Sequence, residues 1–137
     1  MSAVQVKNAL IKAMTEIKTA ILDGGSMRLY QNDYTPTAAT TLADLTEADF
    51  TGYAAVTLTT WSGVYLTAAG YAAVNSPLAS FRPVAPFTVG NQIYGIFIRD
   101  VAGALVLAQR FDDPVSMVDG NGLLDLIYRY SWGNVGG

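Results

Sequence analysis

The hydrophobic periodicity of this 137-residue chain changes once, close to residue 25. Before that point, apolar side chains recur every three or four residues, which is the spacing of one face of an α-helix. After it, they alternate along short runs that are bounded by glycine, proline, asparagine and aspartate, a pattern typical of strands joined by turns. The sequence therefore predicts an N-terminal amphipathic helix within residues 1–25 and a mainly β domain over residues 26–137.

The helical segment has a wide apolar side. Successive residues of that side are separated by four, four, three and four positions: Val6, Leu10, Met14, Ile17 and Ile21. Asp23-Gly24-Gly25 is expected to end the helix, because glycine readily adopts the left-handed conformation of a helix C-terminus. A short helix this apolar is marginal alone and needs a packing partner. That partner is either the β domain of the same chain or another protein, and we assign the face as a docking or oligomerisation surface.

The remainder of the chain contains about eight predicted short strands. They lie near residues 27–32, 53–61, 71–75, 79–82, 86–89, 93–99, 105–111 and 124–132. Residues 100–103 are predicted to form a hairpin turn. Residues 46–50, Thr-Glu-Ala-Asp-Phe, predict one helical turn with Thr46 as its cap and Asp49 in the capping-box position. Many short strands with closely spaced turns favour an antiparallel β-sandwich or a jelly-roll-like barrel.

The residue types that the chain lacks exclude several chemistries. Histidine and cysteine are both absent, which excludes Ser-His-Asp and Cys-His nucleophilic sites, zinc sites built from these ligands, and haem or iron–sulfur ligation. No lysine follows Lys18, so a Gly-Lys-Ser/Thr phosphate loop is excluded. Asp112, Asp113 and Asp119 lie in ordinary turn sequences without the spacing of a calcium loop. Enzymes that use only carboxylates, lysine or tyrosine survive these exclusions, but no pair of carboxylates has a sequence context that marks it as catalytic. We predict no catalytic residue, no cofactor and no metal site, and we expect the protein not to be an enzyme.

Charge is scarce and unevenly distributed. Charged residues make up 14% of the chain, against roughly 25% in an average soluble domain. Residues 1–22 contain all three lysines and one glutamate, whereas the remainder contains five arginines and ten acidic residues. The acidic balance argues against nucleic-acid binding, and no apolar run is long enough to span a bilayer. A surface this poor in charge is typical of a protein that a partner covers.

Residues 29–54 resemble a known family. They read LYQNDYTPTAATTLADLTEADFTGYA, which is similar to a recurrent pattern in small virion proteins of tailed bacteriophages. That pattern is a strand ending in Asn-Asp or Asn-Asn, then Thr-Pro, Leu-Ala-Asp-Leu-Thr-Glu-Ala, an aromatic residue and Gly-Tyr-Ala. The resemblance continues more loosely through Trp61, residues 69–70, residues 91–95 and the hairpin of residues 100–111. It implies a structural component of a phage particle and transfers no catalytic residue.

Together these observations predict a non-enzymatic virion protein, namely a capsid cement or decoration protein that stabilises the assembled head. Its expected partners are further copies of itself, as a dimer or trimer, and the major capsid protein. Its expected location is the capsid surface, after synthesis in the bacterial host cytoplasm.

Two alternatives stay open. One is a receptor- or glycan-binding module of a head or tail fibre, since strand alternation leaves Tyr30, Tyr34, Tyr65 and Tyr71 the least explained of the aromatic residues. Exposed aromatic faces can stack on sugars. The other alternative is a structural subunit of the tail or baseplate.

Overall fold

The computed structural model describes residues 3–87 and 92–132, in which the chain forms one N-terminal α-helix and nine strands in antiparallel sheets. Helix α1 spans Ala3–Ile17 and continues as a π-helical turn over Lys18–Leu22. The strands are β1 (Gly25–Tyr30), β2 (Val56–Leu58), β3 (Tyr65–Leu66), β4 (Ala72–Asn75), β5 (Ala79–Phe81), β6 (Gln92–Arg99), β7 (Leu105–Ser116), β8 (Leu124–Leu126) and β9 (Arg129–Trp132). The predicted fold class, antiparallel β-structure preceded by an amphipathic helix, is confirmed.

The helical segment ends at the predicted glycine pair. The N–H of Asp23 donates to the carbonyl of Lys18 at 2.9 Å, and Gly24 follows with φ of +81°. That backbone conformation is the left-handed region that favours glycine. Leu22 is fully buried, and its carbonyl accepts a hydrogen bond from Trp61 Nε1 at 3.1 Å. The last helical turn is therefore tied to the β-structure at its C-terminal end.

The largest sheet has the strand order β2-β1-β6-β7. The predicted turn joins β6 to β7, with the N–H of Gly103 donating to the carbonyl of Asp100 at 2.9 Å. Strand β7 contains a large bulge. Ile93 lies opposite Val115 and Gly95 lies opposite Arg110, so four residues of β7 face a single residue of β6. Residues 111–114 thus form the bulge on an edge strand of this sheet.

The other strands form a bent ladder. Strand β4 pairs with β3 and β9, and β5 pairs with β8. Between the β4–β9 and β5–β8 pairs the register shifts by one residue, at Ser76 and Pro77. Proline has no N–H with which to continue a ladder, and the Ser76 Oγ accepts the N–H of Tyr128 at 2.8 Å. The predicted strand over residues 124–132 is therefore divided between two sheets.

One hydrophobic core contains residues of the helix and of all three sheets. Helix α1 lies against β3 and β4. Its Leu10 and Met14 are 8% and 0% exposed, and they belong to the same core as the inward-facing residues of β1, β4, β5 and β6. The sandwich does not close into a barrel, since β7 and β8 both lie at sheet edges and a groove separates them.

The predicted helical turn at residues 46–50 is wrong. A 3₁₀ turn lies earlier, at Leu42–Asp44, where the Asp44 carboxylate accepts the N–H of Thr41 at 2.9 Å. Glu47 forms an isolated antiparallel bridge with Tyr30. Pairing with the neighbouring strand therefore overrides the capping-box pattern.

Two predicted strands are shorter than expected or absent. Of residues 53–61, only Val56–Leu58 pairs in a sheet. Pro86 and Phe87 are not in a strand, and the rest of the predicted strand at 86–89 lies outside the described residues. Over residues 3–87 and 92–132, the structure has no helix with the length and apolarity required to cross a membrane.

Candidate functional site

The five residues of the predicted docking face have different surroundings. Leu10 and Met14 are buried against strands of the same chain, and Ile17 packs against the same core. Ile21 is 36% exposed. The side chain of Val6 lies outside the described residues. A docking role for this face stays a prediction, and Ile21 is a member of it that solvent reaches.

Glu47 connects the loop that follows β1 back to that strand. The Glu47 carboxylate accepts hydrogen bonds from Arg28 Nη1 at 3.0 and 3.1 Å and from the Tyr53 hydroxyl at 2.7 Å. The Tyr53 oxygen accepts the N–H of Leu29 at 3.2 Å. The Glu of Leu-Thr-Glu-Ala and the Tyr of Gly-Tyr-Ala therefore meet at one place, although the sequence separates them by six residues.

Asn32 makes a second connection within this segment. Its amide nitrogen donates to the carbonyl of Asp44 at 2.9 Å, and its amide oxygen accepts the N–H of Thr46 at 2.8 Å. Leu45, between these two partners, is buried with Tyr30 and Phe97. The polar positions of the pattern thus determine how the loop folds onto β1 and β6.

The tyrosines offer little support for a glycan platform. The hydroxyls of Tyr30, Tyr34 and Tyr65 each take part in a hydrogen bond of 2.9–3.1 Å within the chain. Tyr30 is fully buried, whereas Tyr71 is 38% exposed. Sugar stacking requires an accessible ring face, so Tyr71 is the member of this set with the most accessible ring.

Tyr53 makes the stability of the protein depend on pH. Burial, followed by the hydrogen bond to Glu47, raises the pKa of Tyr53 well above its ordinary value of 10.0. The folded protein holds the phenol neutral at pH values where the unfolded chain ionises. The stability that the neutral Tyr53 phenol contributes is therefore fully present below about pH 10. It is lost as the pH rises through the folded-state pKa.

We expect the free energy of unfolding to fall as the pH is raised above about 10, and Tyr53→Phe to reduce that fall. Urea unfolding of both proteins across this pH range measures it. Tyr71→Phe is the matched control, because Tyr71 is exposed. An equal decline in the Tyr53→Phe protein and the unaltered chain would contradict this assignment.

A groove runs between β7 and β8. One part has a volume of about 410 Å³, and its lining includes Ile96, Phe111, Leu126 and Tyr128. Ile96 belongs to the buried core, so the core itself forms the bottom of this groove. The adjoining part, of about 420 Å³, shares Phe111 and Leu126 and is bordered by the two aspartates of the β7 bulge.

The second candidate surface is the outward side of the β5–β8 pair. At its centre, the Ser80 hydroxyl donates to the Asp125 carboxylate at 2.6 Å. Three apolar residues that flank this pair are exposed by between 45% and 62%: Leu78, Leu123 and Ile127. We call these three residues the outer apolar face. Ile127 also lines the groove, so the two surfaces adjoin.

Sequence reasoning did not identify either surface. In the alternating run of residues 124–132, Ile127 lies on the same side as Asp125, Arg129 and Ser131. An isoleucine among polar residues on one side of a strand is a signal of an apolar exterior there. The groove has no such signal, because it depends on which strands remain unpaired.

Within the part of the chain that the structure describes, the acidic residues do not gather in a group of three that could hold a metal ion. Comparisons of the chain with family models, with curated proteins and with solved structures found no match.

Proposed function

We propose that this chain is a non-enzymatic structural protein of a tailed-phage particle, which binds the assembled head as a cement or decoration protein. The observation that carries the proposal is the outer apolar face, where Leu78, Leu123 and Ile127 are exposed around a Ser80–Asp125 pair. The resemblance of residues 29–54 to small virion proteins supports the same class.

An apolar face of this kind suits permanent attachment to a large surface. Fully burying an exposed aliphatic side chain contributes on the order of 1.5–3 kcal/mol, and covering these half-exposed residues contributes about half of that for each. Apolar contact is also less sensitive to salt than surface ion pairs are. A protein that binds only the assembled shell also stabilises that shell by linkage. At a hundredfold excess over Kd the gain is about 2.7 kcal/mol per site, and it is repeated over many sites.

Binding to empty heads tests the proposal. Purified protein is added to heads that lack it, and both co-sedimentation and the melting temperature of the heads are measured. We expect saturable binding and a higher melting temperature. Absence of binding, together with binding to sugars on a glycan array, would instead support the receptor-binding alternative, and binding to isolated tails would support the tail-subunit alternative.

Replacing Leu78 and Leu123 together by lysine is expected to weaken binding to heads by at least about a hundredfold, because two apolar contacts are lost and two charges must be desolvated. Both side chains are exposed, so the fold is expected to tolerate the change. Val101→Lys is the matched control, since Val101 is 78% exposed in the turn between β6 and β7. Equal loss of binding in the control, or none in the double variant, would rule out this face.

A further inference from the structure

The groove between β7 and β8 has an acidic end. Asp112 and Asp113 lie on the bulge of β7, are exposed, and border the groove beside Leu124 and Leu126. Arg110, which also borders this end, is already engaged: its guanidinium pairs with Asp33 at 2.6 Å and lies 5.3 Å from the centre of the Tyr94 ring. The two aspartates thus give this end of the groove a net negative charge.

The edge of β7 that borders this groove is unsuited to pairing with a strand of another protein. A bulge, a proline and charged residues are features that prevent edge-to-edge pairing of strands, and residues 111–114 supply all three. Gln109 and Arg129 also line the groove, but its apolar part beside Phe111 and Leu126 fits a protruding aliphatic side chain. The acidic end favours a partner that carries a cation beside that side chain.

The π-helical turn Lys18–Leu22, which we call the C-terminal turn of α1, carries both an exposed aliphatic side chain and a cation. Ile21 is 36% exposed, and Lys18 lies in the same π-helical turn. The residues between them, Thr19 and Ala20, are small and exposed, so a neighbouring surface has access to this turn. In the described residues neither Lys18 nor the two aspartates of the bulge forms an ion pair.

We infer that the groove of one copy binds the C-terminal turn of α1 of a second copy. Ile21 enters the apolar part beside Phe111 and Leu126, and Lys18 approaches Asp112 and Asp113. This inference rests on the expectation that the protein associates with further copies of itself, and it names the surfaces that join them. Because the two surfaces differ, the contact is head-to-tail, and such contacts close into rings when the rotation permits.

Two complementary variants test the inference. One disables the helix turn, Lys18→Glu with Ile21→Ser, and the other disables the groove, Asp112→Lys with Asp113→Lys. Sedimentation velocity of the full chain over a range of concentrations measures self-association. We expect each variant alone to associate at least about tenfold more weakly than the unaltered chain, which corresponds to about 1.4 kcal/mol. Val101→Lys, at an exposed site elsewhere, is the control and is expected to associate normally.

The decisive measurement is sedimentation velocity of an equimolar mixture of the two variants. A head-to-tail contact leaves one intact helix turn and one intact groove in the mixture, so a one-to-one complex forms and grows no further. Monomeric behaviour of the unaltered chain, unchanged association of the groove variant, or absence of the mixed complex would each overturn the inference. Thermal unfolding of every variant checks that its fold is intact.

Binding to empty heads is measured in parallel, which separates this inference from the proposed function. Absence of self-association in the unaltered chain, with head binding retained, overturns only the inference. Self-association as described without head binding supports the inference and overturns the cement function.

Discussion

Replacing Gly95 by alanine is expected to lower the free energy of unfolding by about 3 kcal/mol, the upper end of the range for overpacking a core. Gly95 lies in β6 directly beneath the Tyr30 ring. A Cβ at this position would lie 2.6 Å from both Cε1 and Oη of Tyr30, closer than such contacts can be. It would also press on the carbonyl of Gln109 in β7, which cannot withdraw without loosening the ladder.

Urea unfolding with tryptophan fluorescence measures this loss. Gly63→Ala is the matched control, because a Cβ at position 63 meets no atom within 4 Å. The control is expected to change the free energy of unfolding by less than about 0.5 kcal/mol, as surface substitutions do. If the two alanine variants were equally stable, the placement of Tyr30 over β6 would be wrong.

Replacing Met14 by alanine is expected to cost about 3 kcal/mol of the free energy of unfolding, within the range for truncating a buried methionine. Met14 is completely buried in the core that α1 shares with the sheets. Because these contacts lie within one chain, the loss is expected to be the same at every protein concentration.

Unfolding curves at several protein concentrations check this expectation. Lys12→Ala is the control, since Lys12 lies on the exposed side of the same helix, and it is expected to have little effect. A loss that shrank on dilution would show instead that the apolar face of α1 is buried against another copy, because a contact between copies contributes only where the copies are associated. The result therefore decides between the two partners that the helix sequence leaves open.

Local patterns were sufficient for the elements whose signals lie within a few residues. The helix, its glycine stop and the 100–103 turn all form where periodicity and glycine placement predict them. In each case the hydrogen bonds that define the feature join residues close in sequence. The β fold class follows equally well from the number and spacing of alternating runs.

Non-local pairing decided the features that were not predicted. Thr46 heads a capping-box sequence, yet the backbone of Gln31 donates to its carbonyl and Asn32 accepts its N–H, so the segment is held extended. The change of register at Ser76 and Pro77 likewise exists only because β4 pairs with β9 and β5 pairs with β8. A proline at position 77 interrupts a ladder because it lacks an N–H, but no local pattern tells which strand lies opposite it.

The candidate surfaces likewise combine residues that a local pattern identifies with contacts that only strand pairing creates. Ile21 belongs to the predicted docking face, yet it is exposed in the π-helical turn while Leu10 and Met14 of the same face are buried. Leu78 and Ile127 lie 49 positions apart in the sequence and become neighbours only through the pairing of β5 with β8. Which apolar residues stay outside is therefore a property of the assembled sheets.

The register shift at Pro77 also affects how independently parts of the molecule can move. Strands β5 and β8 pair with each other over three residue pairs, and the described structure has no other strand paired with them. Short ladders of this kind open at a lower free energy than the long ladder of β1, β6 and β7. The outer apolar face thus lies on strands that can open more readily than the sheet that contains Gly95 and Tyr30, so it can adjust to a partner surface without disturbing that sheet.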